Sequence, residues 1–287
     1  MKRAFKFLGI VTLIFCLSGL LSAQIQRPSK PFKVELGLNF GTTLGYTITE
    51  STYTDSVDTF WIDVNESGDI VPELSNPLSF GGDISLITKM GVGVQFALDY
   101  NFDSDLTGTG SYFVTGSDWW GSIDEGFEVD NTGTVKLMVL SLNLMYKYQG
   151  GMFCPWFAAG GSYFTGSLEA SSLVGFGFSD AYGDFDYISI PVDANEDLSG
   201  IGFNVGGGFD IHFTPNMAFT VEAKYFILKK YEEVSWISDV SGQFESYIWG
   251  ITYTVNQAVG DYMDELIEPF EFNPSFPKIA AGFKFSF

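Results

Sequence analysis

The sequence is poor in residue types on which several common functions depend. Among 287 residues there are two cysteines, one histidine and 14 lysines and arginines against 35 acids, a formal net charge of −21. With no basic stripe to neutralise phosphates, we expect no nucleic-acid partner. Hydrolytic dyads and metal sites need partners that the single histidine, His212, does not have nearby, so we predict a rim or interior residue there. We therefore expect no enzyme, no metal and no cofactor.

The N-terminus has the pattern of a secretory signal peptide over residues 1–23. A basic start is followed by an apolar run at residues 7–21, and Ala23 is the small residue before the predicted cleavage point. The alternative is a lipoprotein signal ending at Cys16, but the bulky Phe15 just before it disfavours that signal. Cleavage leaves a single cysteine, which excludes a disulfide framework. No other run is long and apolar enough for a spanning helix.

What the chain does contain is repeated alternation of apolar with small or polar residues. The clearest case is the hairpin of residues 200–228, in which each arm has the 9–11 or so residues that a tilted transmembrane strand needs. In residues 155–165, which are rich in Ala and Gly, we predict that Phe157 and Tyr163 point outward. In residues 32–46 we assign Tyr46 to the apolar face. The predicted strands are 32–46, 78–88, 92–102, 135–148, 155–165, 200–213, 217–228 and 277–287.

The connections between these strands alternate strictly between long and short. The long stretches are polar, cover residues 47–77, 103–133, 166–198 and 229–276, and hold 30 of the 35 acids. The remaining five acids all lie on the polar phase of a strand. A lipid-facing surface requires this segregation, because a charged side chain that faces lipid near the bilayer midplane is destabilising. The pattern therefore predicts long loops at one end of a membrane barrel and short turns at the other.

On these grounds the sequence resembles the small outer-membrane β-barrel family of the eight-stranded OmpA/OmpX type. The resemblance covers residues 32–287 and is carried by the hairpin GFNVGGGFDIHFTPNMAFTVEAKYF and the terminal KIAAGFKFSF. It implies an all-β fold, an eight-stranded antiparallel up-and-down transmembrane β-barrel with four long extracellular loops in the bacterial outer membrane. Residues 24–31 would form a short periplasmic segment. The resemblance also implies contact with outer-membrane lipids, and an assembly signal at Phe287 for the barrel assembly machinery.

One stretch leaves the number of strands open. Residues 247–255 alternate with a period of two, and could form a ninth strand of a ten-stranded barrel. No partner strand is evident, because residues 257–270 look helical or irregular. We predict that the stretch forms an extracellular hairpin or cap.

The polar faces of the strands predict a charged interior. Its members are Glu35, Asp83, Asp99, Asp210, Glu222, Lys224 and Lys284. Since the lumen of an eight-stranded barrel is just wide enough for side chains to fill, we interpret this set as a polar plug. The alternative is a narrow, cation-preferring leak. The bases are too few for complete pairing, and we expect Lys284 to pair with Glu222 or Asp210 across the strand that closes the barrel.

The long stretches also contain clusters of acidic and aromatic residues. These clusters are Asp118-Trp119-Trp120, Asp184-Phe185-Asp186-Tyr187 and Asp261-Tyr262-Met263-Asp264-Glu265. They suit a packed loop crown, a binding surface for an extracellular ligand, or a cation site without regular calcium-loop spacing. Two functions follow as hypotheses. The first is a structural or surface-interaction protein with a plugged barrel. The second is a narrow, porin-like conduit for small or apolar solutes.

Overall fold

The computed structural model describes residues 31–58, 63–117, 122–179, 185–237, 242–245, 252–255 and 266–287. The strands in these ranges are β1 (Phe32–Thr43), β2 (Thr47–Ile48), β3 (Ser51–Asp58), β4 (Asp63–Ile70), β5 (Glu73–Leu74), β6 (Leu78–Thr88), β7 (Val92–Ser117), β8 (Ser122–Lys147), β9 (Phe153–Ser179), β10 (Phe185–Thr214), β11 (Met217–Ile227), β12 (Tyr231–Val234), β13 (Gly242–Glu245), β14 (Thr252–Val255), β15 (Phe270–Asn273) and β16 (Phe276–Ser286).

Eight of the strands close into a ring. Their order is β7-β6-β1-β16-β11-β10-β9-β8, and β8 pairs with β7 again. The closing seam joins β1 to β16 in an antiparallel register from Glu35↔Ser286 to Thr43↔Lys278. The prediction of an eight-stranded antiparallel barrel is confirmed. The ten-stranded alternative is wrong, because β14 pairs with β13 in a separate two-stranded sheet.

The lower part of the ring is apolar outside and polar inside. Outward side chains are strongly exposed, for example Leu144 at 72%, Phe157 at 70% and Ile201 at 79%. The predicted phase of the fifth strand is confirmed, since Tyr163 is also exposed and its neighbour Phe164 is buried. Exposed apolar side chains around a closed ring of paired strands are the mark of a transmembrane barrel, in which every backbone group must pair internally. Separately, the described residues include no helix with the length and apolar character of a membrane span.

Four strands continue far beyond the length a membrane requires. Strands β7, β8, β9 and β10 have 26, 26, 27 and 30 residues. They form two tall hairpins, so the prediction that residues 103–133 and 166–198 are loops is wrong. The period-two pattern does continue there, but Ser, Thr and Gly occupy one face and weaken the contrast. We call the described parts of 47–77, 103–133, 166–198 and 229–275 the crown, and the opposite end of the barrel the turn end.

The fourth long stretch closes the wall of the crown. On one side Ile237 forms a bridge with Asp193 of β10, and on the other Ile267 forms one with Tyr53 of β3. Between these bridges β12, β15 and β2 form a small antiparallel sheet. Of the segment expected to be helical or irregular, residues 256–265 lie outside the described ranges, and Phe270 begins a strand.

An apolar core fills the crown. Trp236 packs on Phe270 with ring centroids 5.2 Å apart, and its indole N–H donates to Ser51 Oγ at 3.0 Å. Inward side chains from the upper barrel strands, such as Leu168 and Val192, complete the same cluster. Tyr231 also packs against it, where burial raises the pKa of the phenol and its O–H donates to the Ser199 carbonyl at 2.9 Å.

Candidate functional site

The candidate site is the charged interior of the barrel below the crown. All seven predicted interior residues lie there, and none is more than 4% exposed. The structure adds Lys147 and Lys278, which the sequence analysis left out although both lie on the polar phase of their strands. The expected number of interior bases was too low, since four buried lysines rather than two face the five buried carboxylates, but the bases remain one short of complete pairing.

The first cluster lies towards the turn end and centres on Lys147. Its ammonium donates to both carboxylate oxygens of Glu35, at 2.8 and 2.7 Å, and lies 2.5 Å from Asp210 Oδ2. Lys33, whose side chain is one-third exposed, approaches Glu35 Oε1 at 2.9 Å. A single buried ammonium thus bridges carboxylates from two strands, β1 and β10.

Lys284 of β16 joins this cluster from the closing seam. Its ammonium lies 3.4 Å from Asp210 Oδ1 and 4.3 Å from the ring centroid of Trp156. The Trp156 N–H donates to the same Asp210 oxygen at 3.2 Å. Of the two partners expected for Lys284, the structure places Asp210 within ion-pair distance, while Glu222 pairs with other lysines.

The second cluster lies nearer the crown and joins β7, β11 and β16. Lys224 lies 3.6 Å from Asp99 Oδ2 and 3.2 Å from Glu222 Oε1. The Lys278 ammonium donates to Asp99 Oδ1 and to Asn39 Oδ1, the latter at 2.8 Å, and lies 3.9 Å from Glu222 Oε1. Two lysines and two carboxylates alternate here, so the charges largely cancel within the cluster.

Between the clusters, a chain of side-chain amides leads to Asp83. Asn204 donates to Asn143 Oδ1 at 2.8 Å, Asn143 to Gln95 Oε1 at 3.1 Å, and Gln95 to Asp83 Oδ1 at 3.0 Å. Donors that point one way along the chain polarise each other towards the carboxylate. Asp83 has no lysine within 4 Å among the described residues, so this amide chain supplies part of its stabilisation.

Two glycines allow this interior to pack. Asn143 of β8 and Asn204 of β10 meet across Gly160 of the intervening β9, where a Cβ would overlap the Asn143 side chain. Gly37 of β1 lies between Asp83 and Lys284 in the same way, and a Cβ there would overlap the Asp83 carboxylate. The glycine-rich polar face of the sequence is therefore the space into which longer side chains reach.

A polar cap separates the second cluster from the crown core. Thr43 Oγ1 donates to Asn101 Oδ1 at 2.9 Å, and the Asn101 amide donates to the Tyr46 phenol at 2.7 Å. The prediction that Tyr46 faces lipid is wrong. It follows the end of β1 and turns inward, where its ring packs on Phe276 with centroids 5.4 Å apart.

At the turn end an open cleft of about 430 Å³ is lined by His212, Thr214, Cys154, Lys33 and Lys147, with further turn residues. Phe287, the predicted assembly signal, is 43% exposed and its backbone N–H donates to Val34 O at 2.9 Å. No group of three or more His, Cys, Asp and Glu in the described ranges is arranged to hold a metal ion.

Most residues of the acidic-aromatic clusters lie outside the part of the chain that the structure describes. Residues 118–121, 180–184 and 256–265 fall outside the described ranges. Residues 185–187 begin β10.

Comparison with known proteins finds likeness in structure alone. No family model and no curated protein matches the sequence. The chain is similar to the outer membrane protein OprG from Pseudomonas aeruginosa, with 12% identity, 90% of this chain and 97% of that one covered, and a TM-score of 0.43. Neisserial surface protein A matches at 11% identity, with 91% and 100% covered and a TM-score of 0.35. The attachment invasion locus protein Ail of Yersinia pestis matches at 10%, with 88% and 99% covered and a TM-score of 0.33. At these identities the likeness concerns the fold.

Proposed function

We propose that this protein is an exported, non-enzymatic barrel of the bacterial outer membrane that does not conduct and whose crown serves surface interactions. The observation that carries the proposal is the filling of the lumen. From the turn end upward it contains an ion cluster, an amide chain, a second ion cluster, a polar cap and an apolar core. Such stacking supports a plug over the alternative of a narrow solute conduit.

The proposal assigns the crown to the cell exterior and the turn end to the periplasm. Export through residues 1–23, contact with outer-membrane lipids, and recognition of Phe287 by the barrel assembly machinery belong to the same proposal. The acidic outer surface of the crown supports a role in contact with other molecules, because surface charge controls which partners approach.

Conductance in planar lipid bilayers tests the plug. The unmodified protein should give current near background, whereas a steady cation-selective current would favour the conduit. Sidedness is tested by an impermeant maleimide on intact cells. Cysteine introduced at Ser56 of the crown should react, and cysteine at Met90 or Gly150 in the turns should not. The reverse pattern would invert the topology.

A further inference from the structure

We propose that the crown binds an extended, lysine- or arginine-rich segment of another protein by strand addition between its two tall hairpins. This inference rests on the proposed surface-interaction function and names the class of partner. The site is the notch formed by residues 122–130 of β8 and residues 173–179 of β9, directly above the hydrogen bond that Ser172 Oγ donates to Asn131 Oδ1 at 2.6 Å.

The notch follows from where strand pairing stops. Strands β8 and β9 pair from Lys147↔Trp156 up to Thr132↔Ser171, and no further. Above that point β8 continues to pair with β7 as far as Ser122, and β9 with β10 as far as Ser179. Within the described part of the chain, each strand therefore has one long edge with no strand beside it. Unpaired backbone N–H and C=O groups along such an edge can template another strand.

The two edges lack three features that commonly prevent strand pairing. Lysines, prolines and bulges blunt an exposed edge. Residues 122–130 read SIDEGFEVD and residues 173–179 read LVGFGFS, with no lysine, arginine or proline in either. The register shift in the β7–β8 ladder lies lower, between Asn101 and Ser104. The charged residues on the two edges are therefore the acids of β8, which disfavour an acidic added strand and favour a basic one.

The negative charge of the β8 edge indicates which kind of partner fits the notch. The β8 edge has four acids and no base, and Glu128 and Asp130 are exposed two residues apart on its outer face. Lysines or arginines at alternate positions of an added strand would meet this pair, because side chains two apart share a face. Pairing of two β8 edges from two copies of this chain would bring the same acids together, which is repulsive. A cationic segment of another protein instead meets these acids with opposite charge.

The probe is a fluorescent eight-residue peptide of alternating lysine and valine, titrated against the full chain in detergent micelles. Two further peptides separate the contributions. One replaces lysine by glutamate, and the other keeps lysine but carries N-methyl groups on alternate backbone amides. We expect the lysine peptide to bind, the glutamate peptide not to bind, and N-methylation to weaken binding at least tenfold. Equal binding of the N-methylated peptide, or no binding of the lysine peptide, would overturn strand addition.

A reversible staple tests the location. If the β8–β9 ladder continued, Asp130 would face Leu173, so a disulfide in the D130C/L173C variant should close the base of the notch. We expect peptide affinity to fall at least tenfold when this variant is oxidised and to return on reduction. The control pair T132C/S171C lies within the existing ladder and should leave affinity unchanged. Unchanged affinity in the oxidised D130C/L173C protein would place the binding elsewhere.

Charge variants and conductance separate this inference from the proposed function. The E128K/D130K variant should lose the lysine peptide, whereas D105K, an exposed crown acid away from the notch, should retain it. Equal losses would indicate general charge attraction and overturn the assignment. Failure of peptide binding with conductance still at background would reject only the notch. A conducting protein would reject the plugged barrel whatever the peptides do.

Discussion

The interior of the barrel below the crown and the interior of the crown have opposite polarity, although the same strands build both. In β8, the inward residues near the turn end include Asn143 and Lys147, and the outward residue Leu144 is 72% exposed. Higher on the same strand, Val135 and Leu137 are buried and Asp130 is exposed. The hydrogen-bonded ladder passes through this inversion without a break between β8 and β9.

This inversion shows that strand pairing does not determine which face of the sheet is polar. The β8–β9 ladder continues across the change in polarity as far as Thr132↔Ser171, while each face of the sheet matches its surroundings. Below, lipid lies outside and the polar groups pair with each other in the lumen. Above, the outer face carries acidic and small polar side chains, and the inner face is packed like the core of a soluble protein. The two levels should therefore respond differently to substitution.

The largest effect is expected for Lys147→Met in the lower interior. The change leaves the buried carboxylates of Glu35 and Asp210 short of a partner, which costs about 3–5 kcal/mol for a buried pair. Urea unfolding in lipid vesicles, followed by the gel mobility of folded and unfolded protein, measures it. Lys33→Met is the matched control, because its side chain is one-third exposed and should cost less than about 1 kcal/mol. Equal midpoints would contradict the assigned role of Lys147.

Trp236→Ala should be the most damaging change in the crown. Trp236 is 2% exposed, and truncating a buried tryptophan costs about 3–5 kcal/mol. Because the lower barrel does not depend on it, we expect faster proteolysis of the crown with the heat-modifiable gel shift retained. The neighbouring Ile237 is 53% exposed, so Ile237→Ala should leave proteolysis unchanged. Loss of the gel shift would show that the two levels unfold together.

Lys284→Met should have an intermediate effect. Asp210 would keep Lys147 and the Trp156 N–H as partners, so we expect a loss of about 1–3 kcal/mol. Lys229→Met is the control, since its side chain is exposed in the crown. Conductance should remain near background in both variants. If both variants unfolded at the same urea concentration, the contact between Lys284 and Asp210 would not contribute to stability.

The smallest effect is expected for Lys230→Met. Its ammonium lies 2.6 Å from Glu271, but both side chains are more than 40% exposed. Exposed pairs contribute about 0–1 kcal/mol and weaken with salt. Raising the ionic strength should erase any difference in urea midpoint from the unmodified protein. A difference that persists at high salt would show that this pair behaves like the buried ones.

The sequence predicted the membrane-spanning part of the barrel well, because every outward side chain there faces lipid and must be apolar. Even the Ala- and Gly-rich fifth strand was assigned correctly, with Phe157 and Tyr163 outward. The crown was not predicted, because its outer face mixes Ser, Thr, Gly and acids, as loops also do. Tyr46 was misassigned for a related reason, since β1 ends before it and the alternation no longer fixes its direction.

For the interior, the alternation along each strand was enough to predict which polar residues are buried. It did not predict which of them form ion pairs or hydrogen bonds with each other. Lys147 and Lys278 share the phase of the other interior residues, so a complete listing of that phase would have included both. The partners depend on register between strands distant in sequence, which a single chain does not reveal. The contact between Asn143 and Asn204 across Gly160 joins strands that are not neighbours, and neither alternation nor spacing indicates it.

The seam between β1 and β16 has a consequence for how the molecule reaches its folded state. Lys278 and Asn39 are 239 residues apart in sequence, and Ser286 and Glu35 are 251 apart. Contacts of such separation form late, because loop closure must precede them. Until they form, Lys278 lacks Asp99 and Asn39, its partners across the seam, and needs water. Burial of the Lys278 charge therefore requires closure of the ring, and a chain interrupted before β16 would leave Asp99, Asp210 and Glu222 without the ammonium groups of Lys278 and Lys284.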